Sequence, residues 1–299
     1  MRSLPLFAVL AAAASASAEP PAFVTFPKLD LLGDSPVRGH LVWTGEGFAP
    51  APFVTPIAPG ARAPLAPRAA PSATPPTFST NVSNAPASYE GETGAATNGT
   101  TIVSGSNSIF PGACGSNPCY VKAYASSDGS TWTTTQMSGT WNGTTFGISF
   151  DPALDVDTNG NYYFVFGGAP LSRNFPNSIA VAKADPRGLA WSAPVAVTFN
   201  RNKFFDDKYW IAVDRSATQF RNRVYVSWDR NTSTNQILFV AHSSDGGATW
   251  SAPVKVDDGT SKFERVIGAY PAVDHATGRV YASWHNYAKD IIFVDKSGD

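Results

Sequence analysis

The stretch Ser243-Ser244-Asp245-Gly246-Gly247-Ala248-Thr249-Trp250 decides the fold. A carboxylate placed two residues after a serine and before glycine is turn chemistry, because its oxygens accept from backbone N–H groups a few residues on. The tryptophan that closes the stretch supplies a large apolar surface for packing between sheets. The same motif, one residue shorter, stands at Ser126-Ser127-Asp128-Gly129-Ser130-Thr131-Trp132, and a degenerate copy runs from Ala184-Asp185 to Ala190-Trp191. The three tryptophans are at 132, 191 and 250, so 59 residues separate each from the next. The residues after them repeat as well, as Trp191-Ser-Ala-Pro-Val195 and Trp250-Ser-Ala-Pro-Val254.

A second set of markers runs in phase with the first. Val156-Asp157 leads to Tyr163-Phe-Val-Phe166, Val213-Asp214 to Tyr225-Val-Ser-Trp228, and Val273-Asp274 to Tyr281-Ala-Ser-Trp284. Each is a short apolar strand, a polar turn and another short strand; a weaker pair lies at Thr93–Thr97 and Thr101–Gly105. One unit therefore holds four strands, as in Ile211–Asp214, Val224–Trp228, Ile237–Ser243 and Trp250–Val256. No segment sustains a 3.6-residue period, which excludes helical repeats. Four antiparallel strands repeating every 50–60 residues or so predict an all-β protein, a β-propeller of four-stranded blades.

The Ser-x-Asp-x-Gly-x-Thr-Trp turn is the Asp-box, or bacterial neuraminidase repeat, and on it residues 87–299 resemble the sialidase-like superfamily. The resemblance implies a six-bladed propeller in a complete chain and exo-α-sialidase chemistry on terminal acidic sugars of glycans. It also implies that Asp128, Trp132, Asp185, Trp191, Asp245 and Trp250 are structural, since Asp-boxes lie away from the active site. Sialidases grip the sugar carboxylate with three arginines and use an Asp acid/base with a Tyr nucleophile. The Phe/Tyr-Arg-Ile-Pro motif of that family is missing here; the nearest match, Arg173-Asn-Phe-Pro176, falls in a different blade. The alternative is a non-catalytic propeller that binds glycans or proteins at a cell surface, because the Asp-box reports fold alone.

The last eight residues, Ile292-Phe-Val-Asp-Lys-Ser-Gly-Asp299, parallel Leu238-Phe-Val-Ala-His-Ser-Ser-Asp245. Asp299 thus falls on the aspartate of a fourth Asp-box, and the expectation is a C-terminally incomplete propeller of about three and a half blades.

The N-terminus reads as a signal peptide over residues 1–18: basic Arg2, an apolar run from Leu4 to Ala14, then Ala16-Ser17-Ala18 before Glu19. That run is too short to span a bilayer, so the expected protein has no integral membrane span and is secreted, periplasmic or at the cell surface. Residues 19–49 form an N-terminal segment, and residues 50–86, with ten prolines, a Pro/Ala-rich linker. The two cysteines, Cys114 and Cys119, are expected as a small-loop disulfide in an oxidising compartment. A formal net charge of −1 offers no footprint for nucleic acid. No cofactor is implied; Asp155-x-Asp157-x-Asn159 superficially matches a calcium loop, yet position twelve is Phe166 rather than Glu.

Strand alternation sets the candidate face. Loops entering the first strand and leaving the second share one end of each blade, opposite the Asp-boxes. They carry Glu90, Glu92, Asp151, Arg201, Asp206, Asp207, Glu264 and Arg265, and Arg173, Asp229, Arg230, His285, Lys289 and Asp290. Asp207 and Asp151 are the expected catalytic acid/base candidates. Arg265, Arg230 and Arg173 are expected to bind the substrate carboxylate, for which the arginine fork is suited. Tyr209 is expected at the substrate, with Tyr89, Trp210, Tyr270 and Tyr287 as further sugar-stacking aromatics.

Overall fold

The computed structural model describes residues 41–43, 48–50, 91–107, 118–170, 176–201, 204–232, 235–256, 266–286 and 291–298 of the 299. The chain divides into two compact units, Met1–Phe78 and Ser79–Asp299. In the first, strands β1 (Leu41–Trp43) and β2 (Phe48–Pro50) pair as an antiparallel hairpin. The signal peptide expected at 1–18 and all of the linker expected at 50–86 except Pro50, which ends β2, lie outside the described residues.

The second unit consists of antiparallel meanders. Strands β3 (Gly91–Thr97), β4 (Ile102–Asn107), β5 (Lys122–Ser126) and β6 (Thr133–Gln136) form the first blade. A small hairpin follows, β7 (Thr140–Trp141) with β8 (Thr144–Thr145). The second blade is β9 (Ile148–Val156), β10 (Tyr162–Ala169), β11 (Asn177–Ala184) and β12 (Val195–Asn200). The third is β13 (Phe205–Val213), β14 (Val224–Asn231), β15 (Gln236–Ser243) and β16 (Val254–Lys255). A last sheet holds β17 (Val266–Val273), β18 (Val280–Asn286) and β19 (Ile291–Lys296). The repeat read from the tryptophan spacing is therefore a series of propeller blades, and no helix occurs among the described residues.

The three aspartate turns close alike. Asp128 accepts from the backbone N–H groups of Ser130 and Thr131 at 2.8 and 2.7 Å, Asp185 from Leu189 and Ala190 at 3.0 and 3.1 Å, and Asp245 from Thr249 at 2.9 Å. The indole N–H groups of Trp132 and Trp191 donate to Gly129 and Gly188 at 3.3 and 3.0 Å. In the third copy the Trp250 indole nitrogen is buried without a partner. Asp157, Asp214 and Asp274 cap the opposite hairpins, accepting from Asn159, Ser216 and Ala276 respectively. The carboxylates of the superficial calcium loop diverge, since Asp155 accepts from Val213 N and Arg215 Nη1 of the next blade.

Several boundaries differ from expectation, and Glu92, Asp151, Asp206, Asp229, Arg230 and His285, expected on loops, lie within strands. The fourth strand of the third blade shrinks to Val254–Lys255 because Pro253 has no N–H to donate. Its start is held instead by Ser251, whose N–H donates to His242 O at 2.8 Å and whose Oγ accepts from His242 N at 3.0 Å. Ser192 does the same to Lys183, at 2.8 and 3.0 Å, which explains the repeated Trp-Ser-Ala-Pro-Val. Strand β13 begins at Phe205, so Asp207 lies within it rather than before it.

Adjacent sheets bury one another. β10 is buried along its whole length, as a strand with a blade on either side must be. Val103, Ala125, Phe164, Phe166 and Trp141 share one cluster between the first two blades, and Leu238, Val266, Ala269 and Trp284 another between the last two. Trp141 comes from the hairpin that the sequence reading missed; it stacks on Phe146 at 4.2 Å and donates to Ser178 Oγ at 2.8 Å.

Gly167 lies where the second and third blades are close, for a Cβ there would collide with Tyr209 Oη of the third blade and meet Phe150 at 3.0 Å. Gly167→Ala should lower unfolding free energy by about 1–3 kcal/mol through overpacking, read from denaturant unfolding. Asp245, bonded by the Thr249 hydroxyl and N–H, has its carboxyl lowered to about 2. A depressed carboxyl stabilises above its unfolded value near ~4 and ceases to do so as pH falls through its folded value. Asp245→Ala should therefore lower the melting temperature by a few degrees at pH 7, with the gap to wild type closing between roughly pH 4 and pH 2.

Candidate functional site

Each innermost strand carries the same irregularity. The register slips between Gly91 and Gly94, Phe150 and Ala153, Asp207 and Trp210, and Ile267 and Tyr270, so two residues face one on the neighbouring strand. These are β-bulges, and the first bulged residue has left-handed φ in every blade: Glu92 48°, Asp151 51°, Lys208 46° and Gly268 73°. Glycine is the default at such a position. Gly268 conforms, whereas Glu92, Asp151 and Lys208 hold a conformation that costs a residue with a Cβ about 1–2 kcal/mol.

Those three side chains meet. Lys208 Nζ lies 3.1 Å from Asp151 Oδ2 and 3.6 Å from Glu92 Oε1, while Asn107 Nδ2 donates to Glu92 Oε2 at 2.6 Å. Asp151 is 13% exposed and Glu92 47%, so the cluster opens to solvent on the Glu92 side. The hydrogen bond between Glu92 and Asp151, together with burial and the Asp151 charge, lifts the Glu92 carboxyl to about 7. Burial also raises Asp151, against the hydrogen bond from Glu92 and the pull of Lys208. Burial alone would lower Lys208, but the carboxylates of Asp151, Asp207 and Glu92 raise it. The result is a pair of carboxyls, both raised, beside the Lys208 ammonium.

Asp207 stands next to this cluster and acts on Asp151 and Lys208 through its charge. Both catalytic candidates from the sequence thus come together, with Asp151 as the member in direct contact. Across the ladder from Asp207 lies Asp229, wholly buried, with Oδ2 accepting from Asn231 at 3.1 Å and Oδ1 without a partner. Burial, and then the Asp207 charge, push the Asp229 carboxyl well up.

Other expected site residues are placed elsewhere. Arg230 is engaged by buried Asp206 through two bonds, 2.7 and 2.9 Å, and lies over the rings of Phe239 and Phe204. Tyr209 is buried, its hydroxyl donating to Phe150 O, which fixes it as an inter-blade strut rather than a sugar platform. Trp210 and Tyr270 remain exposed, 40% and 51%. Cys119 is disulfide-bonded. Cys114, Arg173, Arg265 and Asp299 lie outside the described residues, as do Tyr89, Glu90, Glu264, Tyr287, Lys289 and Asp290. Among the described residues no group of three or more His, Cys, Asp or Glu is arranged to hold a metal ion.

Glu92 was on the expected loop but was not singled out by sequence. The signal was present: Glu92 and Asp151 are 59 residues apart, the step that separates Trp132 from Trp191.

No protein-family profile and no curated protein sequence matches the chain. In three dimensions it is similar to a protein of unknown function from Dyadobacter fermentans DSM 18053, at 18% identity and TM-score 0.51, covering 71% of this chain and 66% of that one. It is also similar to a leech intramolecular trans-sialidase complexed with 2,7-anhydro-Neu5Ac, at 11% identity and TM-score 0.54, covering 75% and 52%. A third is Penicillium chrysogenum alpha-L-arabinanase complexed with arabinobiose, at 12% identity and TM-score 0.52, covering 70% and 63%. The chain thus spans between about half and just under two thirds of these proteins. At such identities the likeness is one of fold, and that fold is the propeller shared by sialidases and an arabinanase.

Proposed function

We propose that this chain is a glycoside hydrolase-type propeller acting on a terminal sugar of a glycan, with Glu92 as proton donor and Asp151 as its ionised partner. The observation that carries the reading is the convergence of Glu92, Asp151 and Lys208 from three successive bulges. Glycosidic cleavage commonly needs one carboxyl that keeps its proton near neutral pH and a second carboxylate nearby. Glu92, lifted to about 7 and half exposed, suits the first task; Asp151, buried against Lys208, suits the second.

The finer form of the reading is the exported exo-α-sialidase expected from the sequence. Its support is the aspartate-turn resemblance and the fold likeness to a trans-sialidase. Disulfide-bonded Cys119 supports export, because such bonds persist in oxidising compartments. Lys208 is 36% exposed against 17% for Arg230, so of these two paired cations it is the more open to an acidic sugar.

The test is turnover of two chromogenic substrates, an aryl α-sialoside and an aryl α-L-arabinofuranoside, by the full chain. A general acid acts only while protonated, so kcat should fall as pH rises through about 7. Glu92→Gln should cut kcat by about 10²–10⁴-fold and remove that basic limb, with fold unchanged by circular dichroism. Cleavage of the sialoside alone supports the sialidase form, and cleavage of the arabinoside alone replaces it with neutral-sugar hydrolysis. No turnover of either, or a fully active Glu92→Gln, sinks the hydrolase reading in favour of a binding propeller.

A further inference from the structure

Beside the Glu92–Asp151–Lys208 cluster, a second set of side chains faces the gap between the third and fourth blades. Cross-strand partners in an antiparallel ladder share a sheet face. Asp207 pairs with Asp229, Trp210 with Ser227, and Asp229 in turn with Leu238. Leu238 packs on Val266 and Ala269 of β17, and Ser227 Oγ donates to Ala269 O at 2.6 Å. The blade-four side of β13 and β14 therefore carries Asp207, Asp229 and Trp210 together.

The facing strand completes a notch. At Gly268, the fourth bulge position, an added Cβ would meet no atom of the described residues within 4 Å, so among them the place taken by Lys208 one blade earlier is open. Two residues on, Tyr270 reaches Trp210 with ring centroids 5.2 Å apart and planes tilted by 57°, and both rings remain exposed. At the back of the notch the Oδ1 atom of fully buried Asp229 has no partner. A buried polar oxygen is rarely left so unless a ligand or water completes it.

We propose that Trp210, Tyr270, Asp207 and Asp229, around the open position over Gly268, form a binding subsite for a neutral sugar ring. A sugar presents an apolar C–H face and a rim of hydroxyls. The aromatic pair meets the first, and the two aspartates meet the second by accepting or donating hydrogen bonds. Two carboxyls in the notch disfavour an anionic sugar there. The subsite deepens the glycan reading above, adding a ring next to the one being cleaved, yet it requires binding alone.

Titration of the full chain with arabinobiose, lactose and 3′-sialyllactose, followed by tryptophan fluorescence and calorimetry, tests this. Wild type should bind arabinobiose or lactose saturably. Gly268→Asn tolerates the left-handed backbone while filling the space, and it should weaken binding at least tenfold with an unchanged melting temperature. Tyr270→Ala should do likewise, and Asp229→Asn should weaken binding severalfold. Asp245→Ala, at the opposite end of the blade, leaves the notch intact and should bind as wild type does. Wild type that binds none of the three, or Gly268→Asn and Tyr270→Ala that both bind undiminished, overturns the subsite. Binding without turnover in wild type would instead remove the hydrolase reading and leave the subsite standing. Turnover with KM unaltered by Gly268→Asn and Tyr270→Ala would do the reverse.

Discussion

Two residues set against one, at the same place in every innermost strand, is the constraint on which this structure turns. A bulge of this kind bends the strand and re-aims the side chain of its first residue. Because it recurs at Glu92, Asp151, Lys208 and Gly268, four neighbouring strands aim their first bulged residues alike. Glycine would accept that backbone freely, yet three of the four positions hold charged residues. Strained backbone is kept where the surrounding sheet over-determines it, and it clusters where side chains have work to do. Here the three strained residues are also the three whose charged atoms meet.

The second bulged residue anchors the first. Pro152 has no N–H to lose from the ladder, which suits it to a bulge. Tyr209 fills the space left by Gly167 and ties its hydroxyl to Phe150 O, locking the third blade onto the second beneath Lys208. The Asp206–Arg230 pair secures the same edge from the other side, with Asn177 and Asn200 bonded to Asp206 as well. Breaking such a pair from one side would leave a buried charge uncompensated. The rigidity of the site therefore comes from groups that do not belong to it.

At the opposite end polar turns close the hairpins, some of their carboxylates buried, as at Asp157 and Asp214, and others exposed. Asp128 and Asp245 are solvent-exposed aspartates kept ionised by the N–H and hydroxyl groups around them. The division of labour is physical: exposed carboxylates bound by donors are depressed and fix turns, whereas carboxyls crowded together in a partly buried cleft are raised and can exchange protons. One residue type, in one repeat, serves both ends of the blade.

The sequence by itself determined the fold class and the number of residues per blade. It did so because local turn chemistry at Asp128, Asp185 and Asp245, repeated at a constant step, needs no long-range information to be read. It also put Asp151 and Asp207 on the same face. What it could not decide was which charges stand free, because Arg230 and Tyr209 look available until Asp206 and Phe150, brought by the register and by the neighbouring blade, engage them. Nor could it separate Asp151 from Glu92, or see the space over Gly268. Those follow from a one-residue bulge in the strand register and from the packing of successive sheets, and both exist only once the strands are paired in three dimensions.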